Sequence, residues 1–135
     1  MITEIETLKR HAFIYPLGND FVIIAGRTSK DNDFISLKVA GQNDWWFHVK
    51  GCPGSHVLLR SLGNTEPDRK TLEVAAAVAA YYSKARNAGV VPVSCTLVKY
   101  VSKPSGVPAG TVTIKKEQTI KVRPSLPDKN FDMGK

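Results

Sequence analysis

The chain has 135 residues, 42% hydrophobic and 23% charged, which is the composition of one globular domain and not of a disordered segment. The longest apolar run, Val74–Tyr82, is too short to span a bilayer, the first residues lack a secretory h-region, and two cysteines suit reduced thiols, so we expect a cytoplasmic protein. The net charge of +7 favours a polyanionic partner over a neutral one, although a basic domain can also carry such charge for solubility alone.

The first third of the chain predicts strands separated by turns. Its opening, MITEIETLKR, suits either a short helix or a loose arm. Asn19–Arg27 is apolar and β-branched, as strands are. After the polar turn TSKDND, Phe34–Ala40 alternates, with Ile35, Leu37 and Val39 on one side, which predicts a half-buried strand.

The middle predicts a hairpin and a long helix. WWFHV, from Trp45, and SHVLLRS, from Ser55, are two strands joined by KGCPG. Thr65 is the expected N-cap, with Pro67 in the first turn, of a helix running to about Arg86. The alanine-rich middle of this helix is apolar nearly all round, so we expect it to be deeply covered.

The last third predicts one more strand, VPVSCTLVKYV, a Pro/Gly loop, and a closing hairpin of TVTIK with QTIKVRP. In that hairpin Lys115, Lys121 and Arg123 share the outward face, opposite Val112, Ile114, Ile120 and Val122. We expect a single domain with its core at about 13–124 and a frayed tail at 125–135. The predicted fold class is α+β: a mostly antiparallel sheet packed on one long central Ala-rich helix.

The central hairpin has two unlike predicted faces. Trp45, Phe47 and Val49 alternate onto an apolar face that belongs to the core. The other face gathers Trp46, His48, Lys50, His56 and Arg60, together with Leu58.

The residues of the second face allow three interpretations of its function. A metal site or a small metal-dependent hydrolase would use His48, Cys52 and His56, but the spacing matches no common closed zinc site and a fourth ligand is missing. The histidines could instead be structural, bonding backbone carbonyls, with Asp44 capping the turn before the strand. The third reading is a nucleic-acid surface, on which rings stack bases and cations meet phosphates.

Several segments occur together and in order: GRTSKDNDFISLKVAGQNDWWFHVKGCPGSHVLLR, AAAVAAYYSKAR, VPVSCTLVKYVSKPSG and TIKVRP. With them the chain resembles the NFACT-R domain, the RNA-binding module of ribosome quality-control factors once labelled fibronectin-binding in bacteria. The resemblance covers roughly Phe13 to Pro124, and Asp31 stands where it predicts a glutamine. It implies a module of factors that bind the large ribosomal subunit and recruit tRNA. In those factors the recruited tRNA serves to add a tail to the stalled peptide. Since this chain carries no other part of such factors, we do not expect it to elongate such a tail alone.

We therefore expect a non-enzymatic RNA-binding domain without metal, cofactor or catalytic residues. Its expected partner is tRNA or rRNA, with the large ribosomal subunit as a further candidate, and neither DNA nor membrane. A protein-interaction module docking on ribosomal or quality-control partners is the alternative. The expected RNA-contacting residues are Arg27, Trp46, His48, Lys50, Ser55, His56, Arg60, Lys99, Lys103, Lys115, Lys121 and Arg123. The expected structural residues of the motif are Asn32, Asp33, Asp44, Pro53 and Gly54.

Overall fold

The fold is built on one antiparallel sheet of six strands, in the order β1-β2-β4-β3-β5-β8. The structure, a computed structural model, describes residues 2–127 and the side chains from residue 6 onward. The strands of this sheet are β1 (Ala12–Leu17), β2 (Phe21–Gly26), β3 (Trp45–Val49), β4 (Val57–Ser61), β5 (Val91–Leu97) and β8 (Gln118–Val122). A second, two-stranded sheet pairs β6 (Val101–Ser102) with β7 (Thr113–Ile114). The α+β class and the antiparallel sheet are as predicted.

One face of the large sheet is covered by helix α3 (Arg69–Tyr81), whose small alanines pack against β3, β4, β5 and β8. The opposite face is covered by α2 (Ser29–Phe34), a π-helical segment (Ile35–Val39) and the β6–β7 sheet. The sheet therefore has two hydrophobic cores, one on each side. A further helix, α1 (Ile2–Lys9), precedes β1. No helix among the described residues is long and apolar enough to cross a membrane.

Helix α3 is shorter than predicted. It begins after Asp68, whose carboxylate accepts a hydrogen bond from the Thr71 amide at 2.9 Å, so Thr65 is not the N-cap. It has 13 residues and ends at Tyr81, so the long helix reaching Arg86 is not confirmed. Just beyond the helix, the backbone of Ser83 forms an antiparallel bridge with that of Gly54 in the hairpin loop.

The predicted strand Phe34–Ala40 is wrong, since Ile35–Val39 is helical and continues α2 without a break. The buried positions explain why. Asn32, Ile35 and Ser36 are buried and Val39 is half-buried, a spacing of three and four residues, while Leu37 is 41% exposed. β-Branched residues imitate strand alternation over so short a stretch.

The predicted closing hairpin is also wrong. β7 pairs with β6, and β8 pairs with β5, so the two segments lie in different sheets. The predicted inward and outward sets nevertheless hold: Ile120 is buried, whereas Lys115, Lys121 and Arg123 are exposed. The start of the expected frayed tail is attached, since the Ser125 amide donates to the Ala77 carbonyl at 3.2 Å. Residues 128–135 lie outside the described part.

Candidate nucleic-acid interface

The central hairpin pairs as predicted, but its second face is not open. Register joins Trp46 to Leu58 and Phe47 to Val57, and Phe47 is fully buried in the core beside α3. On the other face Trp46 is 3% exposed and His56 is 1% exposed, beneath α2, the π-helical segment and the loop before β7. A ring so covered cannot stack an RNA base, so the predicted stacking role of Trp46 is wrong.

A chain of hydrogen bonds explains the polar atoms of this buried face. Trp46 Nε1 donates to Ser36 Oγ at 3.1 Å, and Ser36 Oγ lies 2.9 Å from His56 Nδ1. His56 Nε2 lies 3.0 Å from the carbonyl oxygen of Gly110, which can only accept, so Nε2 carries the proton and Nδ1 accepts from Ser36. Burial, and then the neighbouring His48, lower the pKa of His56 to about 4, which keeps it neutral near pH 7.

His48 is only half-buried, with its ring centroid 5.6 Å from that of His56 and 6.0 Å from that of Trp46. Burial also lowers the pKa of His48. Neither imidazole therefore adds positive charge near neutral pH. Both histidines were expected to contact RNA, but His56 is buried and only the exposed part of His48 is open to a ligand.

Asn32 ties the helix layer to the hairpin. Its Oδ1 accepts from the His56 backbone amide at 3.0 Å, and it occupies the space that a β-carbon on Gly26 would need. Ser55 Oγ donates to the Gly26 carbonyl at 2.6 Å. Asn32 and Ser55 thus both attach the segment around Gly26 and α2 to the start of the returning hairpin strand.

Two predicted phosphate-binding cations are already paired inside the domain. Arg60 donates through Nε and a terminal nitrogen to the Asp44 carboxylate, at 2.7 Å for the shortest contact, and also to the Val39 carbonyl at 2.8 Å. Lys103 Nζ lies 3.2 Å from the Asp33 carboxylate and donates to two loop carbonyls. The expected RNA contacts of Arg60 and Lys103 are therefore corrected. Arg60 attaches the π-helical segment to the large sheet, and Lys103 ties α2 to the loop between β6 and β7.

Pro53 and Gly54 join the hairpin loop to the end of α3. The Pro53 carbonyl accepts from the Lys84 amide at 3.0 Å, and a β-carbon on Gly54 would lie 2.8 Å from Ser83 Cβ. Asp31, at the position where glutamine was expected, receives a hydrogen bond from His11 Nδ1 at 2.8 Å. All five predicted structural residues thus hold segments distant in sequence together.

Six exposed cations lie at one end of the large sheet. They come from different elements, so the faces predicted for each hairpin do not indicate this grouping. β2, β3, α3 and β8 all finish there, because antiparallel strands alternate their ends along the sheet. We call this the cationic end and define it by six exposed cations that lie there: Arg27, Lys50, Lys84, Arg86, Lys121 and Arg123. Lys84 and Arg86 belong to the segment AAAVAAYYSKAR of the family resemblance, but they were not among the expected RNA-contacting residues.

Register shows how closely two of these cations are held. The Lys50 amide donates to the Pro92 carbonyl at 2.9 Å, and Lys121 pairs with Pro92 from the other side. Lys50 Nζ lies 3.1 Å from Glu117 Oε2, which also accepts from Ser94 Oγ at 2.6 Å. The hydrogen bonds from Ser94 and Lys50 lower the pKa of Glu117, so its negative charge partly offsets Lys50.

The remaining predicted cations lie elsewhere. Lys99 is at the opposite end of the sheet, with Nζ 5.5 Å from the Tyr100 ring centroid, and Lys115 follows β7 in the second layer. That opposite end mixes both signs, with Asp20, Glu66, Asp68, Arg69, Lys70 and Lys99 all exposed. Lys99 and Lys115 are therefore not part of the cationic end, and the opposite end of the sheet has no excess of one sign.

The alternative metal site is not assembled. Cys52 packs toward the core beside α3, whereas His56 lies in the opposite layer. Among residues 2–127 no group of three His, Cys, Asp or Glu side chains could hold a metal ion.

Comparison with known proteins gives one family. Residues 9–116 match the model described as the NFACT protein RNA binding domain. The chain is 39% identical over 110 residues to the Rqc2 homolog RqcH of Bacillus subtilis, covering 82% of this chain and 19% of that protein. It is 36% identical over 104 residues to the Rqc2 homolog RqcH of Streptococcus suis, covering 77% of this chain and 18% of that protein.

A solved structure, that of the C-terminal part of the fibronectin/fibrinogen-binding protein from Streptococcus suis, superposes with a TM-score of 0.76 at 34% identity. The match covers 85% of this chain and 46% of that one. The chain thus spans about a fifth of the length of the curated relatives that it matches.

Proposed function

The chain belongs to the family of NFACT protein RNA-binding domains, and from this premise we propose that it binds structured RNA through its cationic end. The observation that carries the proposal is that six exposed cations lie together at one end of the sheet: Arg27, Lys50, Lys84, Arg86, Lys121 and Arg123. Positively charged side chains that lie close together attract the phosphate backbone far more strongly than the same number of charges dispersed over the surface.

The proposed ligand is tRNA or ribosomal RNA, on or near the large ribosomal subunit. The support is the likeness to proteins named Rqc2 homolog RqcH, of which this chain matches about a fifth. No part of the proposal assigns this chain the activity of those longer proteins.

Binding rests on phosphate contacts and not on a stacked tryptophan. Lys121 and Arg123 are the main contacts, since they are exposed and no carboxylate among the described residues pairs with them. Lys50 contributes once an RNA phosphate displaces Glu117 from it. Contacts of this kind position an RNA without reading its sequence, so affinity should depend on RNA shape and on salt.

The test is fluorescence anisotropy with labelled tRNA and with a ribosomal RNA fragment, over a series of salt concentrations. A Lys121→Gln/Arg123→Gln variant should bind at least about tenfold more weakly at low salt, with the slope of log affinity against log salt reduced by roughly 0.7–0.9 for each lost contact. Lys99→Gln is the matched control, because Lys99 lies about 20 Å away at the other end of β5, and it should bind as the unmodified chain does. Equal weakening in both variants would show that the position of the charges does not matter.

A further inference from the structure

A cleft of about 440 Å³ opens at the cationic end, between the loop before α2, the hairpin loop and the segment after α3. Its lining includes three cations, Arg27, Lys84 and Arg86, and five residues that carry hydroxyl groups, among them Thr28 and Ser29. Arg27 and Ser55 were among the expected RNA-contacting residues, but the cleft itself was not predicted, because its lining comes from four separate stretches of the chain.

None of the described residues that line the cleft carries a carboxylate. Two acids flank Asn32 in sequence: Asp33 pairs with Lys103, and Asp31 accepts a hydrogen bond from His11 Nδ1 at 2.8 Å. Against the opposing effect of burial, the hydrogen bonds from His11 and Thr28 and the nearby charges, including that of Arg27, lower the pKa of Asp31. Asp31 therefore offsets part of the Arg27 charge from outside the lining, and the cleft keeps an excess of positive charge. A cleft whose polar lining supplies hydroxyl, amide, ammonium and guanidinium groups is complementary to an anion with several acceptor oxygens.

Its two arginines are held in place by aromatic rings. The Arg27 guanidinium lies 4.9 Å from the Phe13 ring centroid, and Phe13 is stacked on Tyr82 with centroids 4.7 Å apart. The Arg86 guanidinium lies 3.9 Å from the Tyr81 ring centroid. Arg27 donates one hydrogen bond to the Lys9 carbonyl, and Arg86 donates one to the Tyr81 carbonyl. The other N–H groups of each guanidinium remain available to a ligand.

We propose that this cleft binds a backbone phosphate of the RNA, gripped by Arg27, Lys84 and Arg86. A guanidinium fork fixed beforehand by stacking loses little side-chain entropy on binding, and its planar N–H groups match the oxygens of a phosphate. Lys84, exposed and without an ion-pair partner among the described residues, adds a point charge at the rim. The inference rests on the proposed RNA-binding function and adds a defined anion pocket to it.

The experiment compares RNA binding of the full chain with that of two cleft variants. Lys84→Gln removes a charge, and Arg86→Lys keeps the charge but removes the fork, so both should weaken binding about threefold to tenfold. Lys70→Gln is the matched control: Lys70 is an exposed lysine near the start of α3, about 16 Å along the helix from its end. Unchanged melting temperatures verify that each variant is folded.

Amide NMR spectra give a second readout. A short RNA oligonucleotide should shift the amide signals of Thr28, Ser29, Lys84 and Arg86, and uridine monophosphate at the same concentration should not. If the monophosphate saturates the cleft as readily as the oligonucleotide, the occupant is a free nucleotide and the RNA assignment is overturned.

The two levels of the proposal fail differently. If both cleft variants bind RNA normally while Lys121→Gln/Arg123→Gln is weakened, the pocket is rejected and the RNA-binding function stands. If the unmodified chain binds no RNA at low salt, the function and the pocket are both rejected.

Discussion

Ser36 Oγ and His56 Nδ1 lie 2.9 Å apart, and this contact fastens the π-helical segment to the central hairpin. Ser36→Ala would leave His56 Nδ1 without a donor and Trp46 Nε1 without an acceptor, both in a buried layer. Unsatisfied buried groups of this kind cost about 1–3 kcal/mol, so we expect the free energy of unfolding to fall by that amount. Urea denaturation measures it.

Ser102→Ala is the control for that substitution, because Ser102 bonds Thr113 on the exposed second sheet. It should change stability by less than about 0.5 kcal/mol. A similar loss in both variants would mean that the buried bond chain has no special weight.

Stability should fall in mild acid because of His56. Its pKa in the folded protein is lowered to about 4, while an unfolded histidine titrates near ~6.5. Between these values the unfolded chain binds the proton and the folded protein does not, so the stabilisation is complete above ~6.5 and is lost as the pH falls toward 4. The lowered pKa of His48 acts in the same direction.

The full effect of His56 is on the order of 3 kcal/mol. Urea denaturation at several pH values from 4.5 to 7 measures it, and His56→Gln should lower the slope of unfolding free energy against pH. An unchanged slope in that variant would show that His56 is not the group responsible.

Gly26→Ala should destabilise the domain strongly. The new methyl group would collide with Asn32 Oδ1, which holds the His56 amide, so either the strand or α2 must shift. We expect a loss of about 2 kcal/mol or more in thermal or urea unfolding. Gly63→Ala, where nothing lies within 4 Å of the added carbon, should be nearly neutral. A neutral Gly26→Ala would contradict the close approach of Asn32.

Trp46→Phe should affect stability and not RNA affinity. The Trp46 ring is buried and its Nε1 donates to Ser36 Oγ. A phenyl ring would remove this donor and leave part of the indole volume empty, which should lower the free energy of unfolding by roughly 1 kcal/mol. Anisotropy with tRNA should give an affinity within about twofold of the unmodified chain. A large affinity loss in a fully folded variant would restore the stacking role that the buried position argues against.

Glu117→Gln should strengthen RNA binding. The carboxylate 3.1 Å from Lys50 Nζ competes with phosphate for that lysine, whereas a glutamine can still accept from Ser94. An exposed pair of this type is worth ~0.4–1 kcal/mol, which predicts about twofold to fivefold tighter binding in the anisotropy assay. Glu73→Gln, which breaks the Arg69–Glu73 pair on α3, is the control and should have no effect. Weaker binding by Glu117→Gln would refute this competition.

Local pattern was sufficient for the central hairpin and for the existence of the alanine-rich helix. Alternation in WWFHV assigned Phe47 and Val49 to the core correctly, since residues two apart in a strand share a face. The block containing Trp46, Gly54 and His56 was specific enough to indicate the family that the comparison confirmed. Where helix and strand periods overlap over a few residues, as at Phe34–Ala40, the same reasoning failed.

Tertiary structure alone decided which surfaces are covered. Alternation states that Trp46, His48 and His56 share a side, but a layer formed by residues 29–39 and 101–114 determines that this side is buried. Partner choice between strands separated β7 from β8, and the antiparallel strand order brought Arg27, Lys50, Lys84 and Arg123 to one end. These outcomes depend on contacts between distant segments, whose energies no local sequence window contains.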